Sequence, residues 1–195
     1  MSVPSQVVFW CFNIIGLKLL PVKAAYSSSI KDTEDITGVY SSFGVSNAID
    51  NNPGTAFQTS DDYEINPWLQ VELEKISTIY QVIIVSRKNW WISSMRNAEV
   101  RVGFTRFDDM TNGRELLVWL AVTGNENLCN THDGPEQDGE QITINCNKPI
   151  TGQLVSVQLI QSILQRSKLQ TIHGFTSLSL NEIMIYGHSG KCLCF

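Results

Sequence analysis

Two tryptophans, Trp90 and Trp91, stand side by side in the polar segment RKNWWISS (87–94), which begins with Arg87. The segment lies between two strand-like runs, and large aromatics seldom end a buried strand in this way. A guanidinium donates directed hydrogen bonds, and an indole offers a broad apolar surface with one N–H donor. Together they suit a ligand with polar groups and an apolar face. The alternative is that one indole packs inward and the other only covers the loop.

Motifs for catalysis are hard to find. The sequence contains no GxSxG, HExxH, P-loop or GxGxxG pattern. The histidines, 132, 173 and 188, lie in loop-like or terminal segments without the spacing of metal ligands. Asp61 and Asp62 are adjacent and would point in opposite directions in an extended chain, whereas a glycosidase needs carboxylates that face each other. We therefore expect a protein that is not an enzyme.

Alternating apolar residues predict an all-β chain. Turn-forming segments such as DNNPGT (50–55) separate the alternating runs, and no long segment has helical periodicity. Many short strands separated by loops are typical of an antiparallel sandwich or jelly roll. In the run over 153–160 the alternation is imperfect, which indicates a bulge or burial on both faces. The predicted strands are WLQVEL (68–73), IYQVIIVS (79–86), AEVRVG (98–103), LLVWLAV (116–122), EQITINC (140–146), QLVSVQLI (153–160) and LSLNEIMIYG (178–187).

The composition indicates one globular domain, with 43% hydrophobic and 17% charged residues among 195. The apolar stretch over 7–20 is short for a membrane span and is followed by small residues around Ala24. We interpret residues 1–24 as a secretory signal peptide, with an uncleaved anchor as the alternative. The predicted product is a secreted, extracellular protein. Its domain would cover 25–187, and a cysteine-containing tail would follow over 188–195.

The charge balance limits the partners that we expect. Loss of residues 1–24 removes Lys18 and Lys23 and no acid, so the net charge would change from −5 to −7. An acidic domain without a basic stripe is poorly suited to nucleic acid. It is equally poorly suited to purely electrostatic docking on anionic lipid. We therefore expect no nucleic-acid partner.

Four cysteines remain after the predicted cleavage, and an even number favours disulfides. Of the three pairings that four cysteines permit, we favour Cys129–Cys146. It would close a loop of 16 intervening residues and stabilise the fold by about 3 kcal/mol. A bond between Cys192 and Cys194 would span one residue and be strained. Those two would either link to another chain, giving a disulfide-linked oligomer, or lie in a frayed tail.

Seven features occur together along the chain: VSNAIDNN (45–52), NPWLQVEL (66–73), IYQVIIVSRKN (79–89), MRNAEVRVG (95–103), the pair Cys129 and Cys146, QLVSVQL (153–159) and LSLNEIMIYG (178–187). In this order they resemble the F-type lectins (fucolectins), relatives of the coagulation-factor C-type or discoidin domains. The resemblance covers nearly all of 37–187. It implies an eight-stranded antiparallel jelly-roll β-sandwich, in agreement with the predicted strands. It also implies carbohydrate binding by loops at one end of the sandwich. The segment over 160–177 is longer than the connection usual in the family.

F-type lectins bind fucose-type sugars with one histidine and two arginines, while two adjacent cysteines stack against the apolar face of the sugar. The first arginine is matched by Arg87. The adjacent cysteines are matched by Trp90 and Trp91, whose indoles would offer a larger stacking surface. The resemblance therefore implies that these three residues contact a glycan.

The other polar anchors of the family are replaced. Ser60 matches the histidine, and Ser94 matches the second arginine. Asn89 stands where the family has an aspartate that orients the first arginine, and an amide brings no charge to that contact. The resemblance thus implies a degenerate fucose site with a changed or weakened glycan preference.

The family also binds a structural calcium ion beneath these loops, through backbone carbonyls and two carboxylates, as suits a hard cation with oxygen ligands. Both carboxylates are retained here, and Thr59 or Ser60 would complete the site. The alternative is that Asp50 only forms an Asx turn and Glu182 is a solvated strand residue. We expect Ca²⁺ as a structural cofactor. The matching residues are Asn47, Asp50, Asn52, Asn181 and Glu182.

The leading interpretation is a secreted carbohydrate-binding module with a glycan partner. The alternative is an extracellular adhesion module that binds protein or membrane through the same aromatic loop, without sugar specificity. Discoidin relatives use exposed aromatics on such loops to enter lipid, so a membrane partner belongs to this alternative alone. A third interpretation is a lectin-derived scaffold without a ligand.

Overall fold

Two long antiparallel strands form the frame of the fold. The computed structural model describes residues 16–34, 40–60, 66–88, 95–106, 127–160 and 177–190. These ranges contain ten strands and one 3₁₀ turn, Val45–Ala48. The strands are β1 (Lys18–Leu19), β2 (Val22–Ser27), β3 (Asp32–Glu34), β4 (Tyr40–Ser42), β5 (Phe57–Gln58), β6 (Trp68–Ser86), β7 (Ala98–Gly103), β8 (Leu128–His132), β9 (Gln141–Leu159) and β10 (Ser179–Ser189).

Strands β6 and β9 have 19 residues each and pair with each other in both halves. Their register shifts between Glu72 and Ser77, where the paired strands pass from one layer to the other. In the first layer β2, β7 and β8 join the N-terminal half of β6 and the C-terminal half of β9. In the second layer β10 pairs with the C-terminal half of β6 and carries β1 and β5 on its other edge. The eight strands form the predicted antiparallel jelly-roll sandwich, and β3 and β4 form a separate hairpin.

The core lies between the two layers and follows the alternation seen in the sequence. Leu69, Val71 and Leu73 are fully buried in the first half of β6, and Val82 and Ile84 are fully buried in the second half. Each such side chain stabilises the fold by about 1.5–3 kcal/mol through removal of apolar surface from water. This pattern fixes the register of β6 because a slip by one residue would turn every apolar side chain outward.

Strands β6 and β10 come unusually close at Gly187. A Cβ atom at this position would overlap the carbonyl oxygen of Thr78 in the neighbouring strand. Only glycine permits this approach without moving the two strands apart. The glycine at the end of the LSLNEIMIYG segment therefore has a packing role between β1 and β6 in the second layer.

Residues ahead of the predicted cleavage point are part of the folded structure. Leu20 is 3% exposed and belongs to the core, and its N–H donates to the carbonyl oxygen of Ile185 at 2.8 Å. Ala24 lies inside β2, where it pairs with Glu72. The Nζ atom of Lys23 lies 2.6 Å from a carboxylate oxygen of Glu72. The folded region thus begins N-terminal to the predicted boundary at residue 25, and β10 extends it C-terminally to residue 189.

The predicted disulfide between Cys129 and Cys146 is confirmed, with an S–S distance of 2.06 Å. It links β8 to β9, and Cys129 is fully buried. The predicted strand over 116–122 and the cysteines at 192 and 194 lie outside the described residues. Within the described ranges, no helix is long and apolar enough to cross a lipid bilayer.

Candidate functional site

Arg87 lies directly after β6 and is half-buried. Its Nη1 atom donates a hydrogen bond to Oε1 of Gln58 in β5. Its Cζ atom lies 4.4 Å from the centre of the Phe43 ring, within the range of a cation–π contact. Two segments that precede Arg87 by about 30 and 40 residues of sequence therefore hold its guanidinium group.

The neighbouring strands bring a second predicted sugar-binding residue to the same end of the sandwich. Strand β10 is antiparallel to both β5 and β6, so the chain leaves β5 and β6 at the same end. Ser60 follows β5 and is half-buried, and its N–H donates to Oγ of Ser29 at 2.8 Å. Ser60 and Arg87 thus share the end of the second layer. The other predicted contact residues, Asn89, Trp90, Trp91 and Ser94, lie outside the described residues.

A second group of polar residues surrounds the loop between the 3₁₀ turn and β5. Oδ1 of Asp50 accepts a hydrogen bond from the N–H of Asn52, and Oδ2 accepts one from the hydroxyl of Thr55, both at 2.8 Å. The first of these bonds forms the Asx turn expected for this residue. Asn51 has a φ of 58°, in the left-handed region that asparagine tolerates well. Nδ2 of Asn47 donates to the carbonyl oxygen of Ala56 at 2.9 Å, which holds the far side of the loop.

Strand β10 supplies two polar side chains to this loop. Nδ2 of Asn181 donates to the carbonyl oxygen of Pro53 at 2.6 Å, so the loop is tied to the strand. Glu182 is only 5% exposed rather than solvated. Its Oε2 atom and Oδ1 of Asn181 are both buried without a hydrogen-bond partner. Buried polar atoms without partners are rare in proteins and call for an explanation such as a bound ion.

The charge state of Glu182 reflects this environment. Burial, followed by the negative charge of Asp50, raises the pKa of Glu182 to about 7. The nearby backbone N–H groups of Asn51, Ile183 and Asn52 partly oppose this rise in the pKa. A cation between the two carboxylates would relieve the burial cost of one charge and the repulsion between both.

The residues present fit a hard cation that prefers oxygen ligands. Among the described residues, no group of three His, Cys, Asp or Glu side chains is close enough to hold a metal. Amide and backbone oxygens would therefore have to complete a site around Asp50 and Glu182. Of the two residues considered as a further ligand, Thr59 is fully buried and its Oγ1 accepts a hydrogen bond from the N–H of Leu178 at 3.0 Å.

A groove of about 330 Å³ lies beside Glu182, between β10 and the turn that joins β1 to β2. Its walls include the apolar residues Leu19, Val22, Ile49 and Met184 together with Glu182 itself. The groove is partly open, so water reaches the surroundings of the Glu182 carboxylate. Sequence reasoning missed this groove because residues 18–24 were assigned to a signal peptide.

Gln58 and Phe43 were also missed by sequence reasoning. Gln58 is fully buried, and its Nε2 atom donates to Oγ of Ser177 at 3.1 Å. The N–H of Gln58 donates to the carbonyl oxygen of Phe43 at 3.3 Å. Neither residue belongs to a motif, and only the fold brings them to Arg87.

Comparison with known proteins supports a shared fold. The fucolectin (F-lectin) from striped bass (Morone saxatilis) serum has a TM-score of 0.59 and 18% identity, covering 90% of this chain and 51% of that chain. This chain therefore spans about half the length of that protein. The family 32 CBM from Clostridium perfringens NanJ, solved in complex with galactose, has a TM-score of 0.55 and 19% identity, with coverages of 84% and 92%. A Streptococcus pneumoniae fucose binding module has a TM-score of 0.53 and 18% identity, with coverages of 87% and 94%.

At these levels of identity the solved structures establish the fold alone. No curated protein sequence matches this chain with significance. The sequence profile of the F5/8 type C domain matches residues 24–169, which is more than half of the chain. The chain therefore belongs to the F5/8 type C domain family.

Proposed function

We propose that this domain is a carbohydrate-binding module that contacts a glycan at the loop end of its second layer. Arg87 carries the proposal, because Gln58 and Phe43 hold its guanidinium at that end while the side chain stays half-exposed. Arg87 would donate to sugar hydroxyls or to the ring oxygen, and Trp90 and Trp91 would stack against the sugar. Further polar contacts would come from Ser60, Asn89 and Ser94.

The relatives of known structure support this proposal through the ligands that their titles give. One is a fucolectin, one is a module in complex with galactose, and one is a fucose binding module. Arg87 remains in this chain, whereas Ser60 and Ser94 replace two charged anchors of the F-type lectins. Each lost charged hydrogen bond costs about 1.5–3 kcal/mol, or more than tenfold in affinity. We therefore expect weak binding of free fucose and a changed or extended glycan preference.

We also propose that Ca²⁺ binds beside the loop end of the domain. The buried and unpaired Oε2 atom of Glu182, next to the charge of Asp50, supports this proposal. When bound, the ion would supply positive charge that neutralises both carboxylates and holds the loop against β10. The residues that would hold it are Asn47, Asp50, Asn52, Asn181 and Glu182.

The protein is further proposed to be secreted, with residues 18–24 retained in the folded domain. The disulfide between Cys129 and Cys146 supports this location, because such bonds persist in oxidising compartments. Mass spectrometry of protein from the culture medium, with and without reductant, would test both the export and the bond. Finding the whole protein inside cells, with both thiols reduced, would contradict the proposal.

A glycan array tests the proposed function, followed by calorimetry on any glycan found, in calcium and in chelator. Arg87→Met should lower the affinity for that glycan by more than tenfold, because it removes the charged donor. Arg106→Met is a matched control, because Arg106 is also half-buried and lies over an aromatic ring, with 3.8 Å between its Cζ atom and the centre of the Tyr26 ring. Equal losses in both variants would argue against a glycan site at Arg87.

Liposome co-sedimentation separates the proposal from the adhesion alternative. The double variant Trp90→Ala/Trp91→Ala should lose glycan binding, whereas the unmodified protein should not sediment with liposomes. Sedimentation that disappears in the double variant, with no signal on the array, would favour adhesion through the aromatic loop. Silence in both assays would favour a scaffold without a ligand.

A further inference from the structure

We infer that Gln58 is the positioning residue for Arg87, in place of the charged partner that Asn89 does not supply. The inference rests on the proposed function, because it assigns a role within the same glycan site. It starts from the hydrogen bond that Arg87 donates to Oε1 of Gln58. The Asn89 position has no carboxylate, and Gln58 is a fully buried neighbour that accepts from Arg87.

The chemistry of the two groups determines how the amide of Gln58 is turned. A guanidinium only donates hydrogen bonds, so the amide must present its oxygen to Arg87. The NH₂ group then points away and donates to Oγ of Ser177 at 3.1 Å, where a hydroxyl can accept. Both ends of the amide are satisfied in this orientation only, since a flipped amide would set two donors against each other.

The backbone around Gln58 makes it a rigid support. Gln58 pairs with Ser179 of β10, and its carbonyl oxygen accepts from the N–H of Lys31 at 2.9 Å. Its own N–H donates to the carbonyl oxygen of Phe43 at 3.3 Å, so these two residues, which both contact Arg87, are linked to each other. Phe43 restrains one face of the guanidinium, and Gln58 restrains one edge. The Gln58 side chain is fully buried and its backbone is paired, so it has little freedom to move. It therefore limits rotation of the Arg87 guanidinium.

An amide partner orients the arginine without adding a negative charge to the site. A carboxylate at the same place would bind the guanidinium more tightly and would compete with a ligand for its charge. The arrangement suits a ligand that offers neutral oxygen acceptors, such as sugar hydroxyls or a ring oxygen. Ligand binding should therefore depend on Gln58 through Arg87 and not through direct contact.

Two variants test this role. Gln58→Met keeps the length of the side chain and removes the acceptor, whereas Gln58→Glu keeps an acceptor and adds charge. In nitrogen-detected NMR, we expect Arg87 in Gln58→Met to show faster rotation about its Cζ–Nη bonds, and Arg87 in Gln58→Glu to show slower rotation. Gln70→Met is the matched control, because Gln70 is 2% exposed and its Nε2 donates to a backbone oxygen of Thr105 at 3.3 Å. Unchanged rotation in both Gln58 variants would overturn the inference, whether or not a glycan is known.

Binding of the glycan found on the array provides the second readout. Gln58→Met should bind it about tenfold more weakly, and Gln58→Glu, which keeps an acceptor but competes for the charge of Arg87, should recover only part of that loss. In an Arg87→Met background, Gln58→Met should cause no further loss, whereas a merely structural role would weaken both backgrounds equally and overturn the inference. If the unmodified protein binds no glycan, the proposed function fails, and the NMR result still decides the inference. If Gln58→Met does not fold, the NMR result for Gln58→Glu decides it.

Discussion

Replacing Glu182 by glutamine should stabilise the metal-free protein above neutral pH. The pKa of Glu182 is about 7 in the folded state and 4.5 in a model peptide, so the folded state holds the proton more tightly. The free energy of unfolding should therefore fall as the pH rises from about 4.5 to about 7, and stay low above it. The full shift of the Glu182 pKa corresponds to about 3 kcal/mol of unfolding free energy. Screening by water in the open groove lowers this effect to about 2 kcal/mol.

Calcium should reverse the order of stability of Glu182→Gln and the unmodified protein. Glu182→Gln has no charge to bury, so in chelator at pH 7.5 it should be about 2 kcal/mol more stable than the unmodified protein. At an ion concentration 100 times the dissociation constant, a bound cation stabilises a protein by about 2.7 kcal/mol. The variant lacks one of the two carboxylates and should gain much less. In calcium the unmodified protein should then be the more stable one.

Urea unfolding followed by tryptophan fluorescence, at pH 5 and 7.5 in chelator and in calcium, measures both effects. Glu72→Gln is a suitable control because hydrogen bonds from Lys23 and then Tyr26 lower the pKa of Glu72, opposite to the shift of Glu182. That variant should be less stable at both pH values, because both lie above the unfolded pKa of 4.5, and calcium should not alter the difference. If Glu182→Gln destabilises the protein equally in chelator and calcium, the charged carboxylate neither destabilises the fold through its burial nor binds a cation. The reasoning would then be refuted.

Three further predictions concern the scaffold. The double variant Cys129→Ser/Cys146→Ser should lose about 3 kcal/mol of unfolding free energy, measured by urea titration, and reductant should then have no effect on it. A chain that begins at Ala25 lacks β1 and half of β2, and should be less stable than the longer chain by at least about 3 kcal/mol in the same titration. Gly187→Ala should cost about 1–3 kcal/mol in thermal unfolding, whereas Gly103→Ala, with open space around it, should be nearly neutral.

Much of the fold could be predicted because alternation in the sequence reports burial directly. The predicted run over 98–103 is β7, and the runs over 68–73 and 79–86 are the two halves of β6. Their union into one strand was not predicted, because the connecting residues Glu74 to Ser77 belonged to neither run. For the run over 153–160 the sequence indicated either a bulge or burial on both faces. The structure shows burial on both faces, from Leu154 to Leu159.

Other strands could not be predicted because their burial depends on the rest of the fold. Strand β8 has one fully buried residue, Cys129, followed by three polar residues, so it shows no alternation. Strands β1 and β2 lie where apolar residues followed by small ones resemble a leader. In such segments, the pairing with a distant strand determines the conformation more than local preference does.

The same distinction applies within the candidate site. Arg87 could be placed from the sequence because it follows a strongly alternating strand, and Asp50 and Glu182 could be matched to their counterparts in a family. The groups that give these residues their properties come from other parts of the chain. Gln58 reaches Arg87 because β5 and β6 both pair with β10 and the chain leaves both strands at the same end. Glu182 is buried where the hydrogen bond from Asn181 to Pro53 ties the loop containing Asp50 to β10. Substituting a supporting group such as Gln58 should therefore change ligand affinity even where unfolding free energy changes little, so binding and stability have to be measured on the same variants.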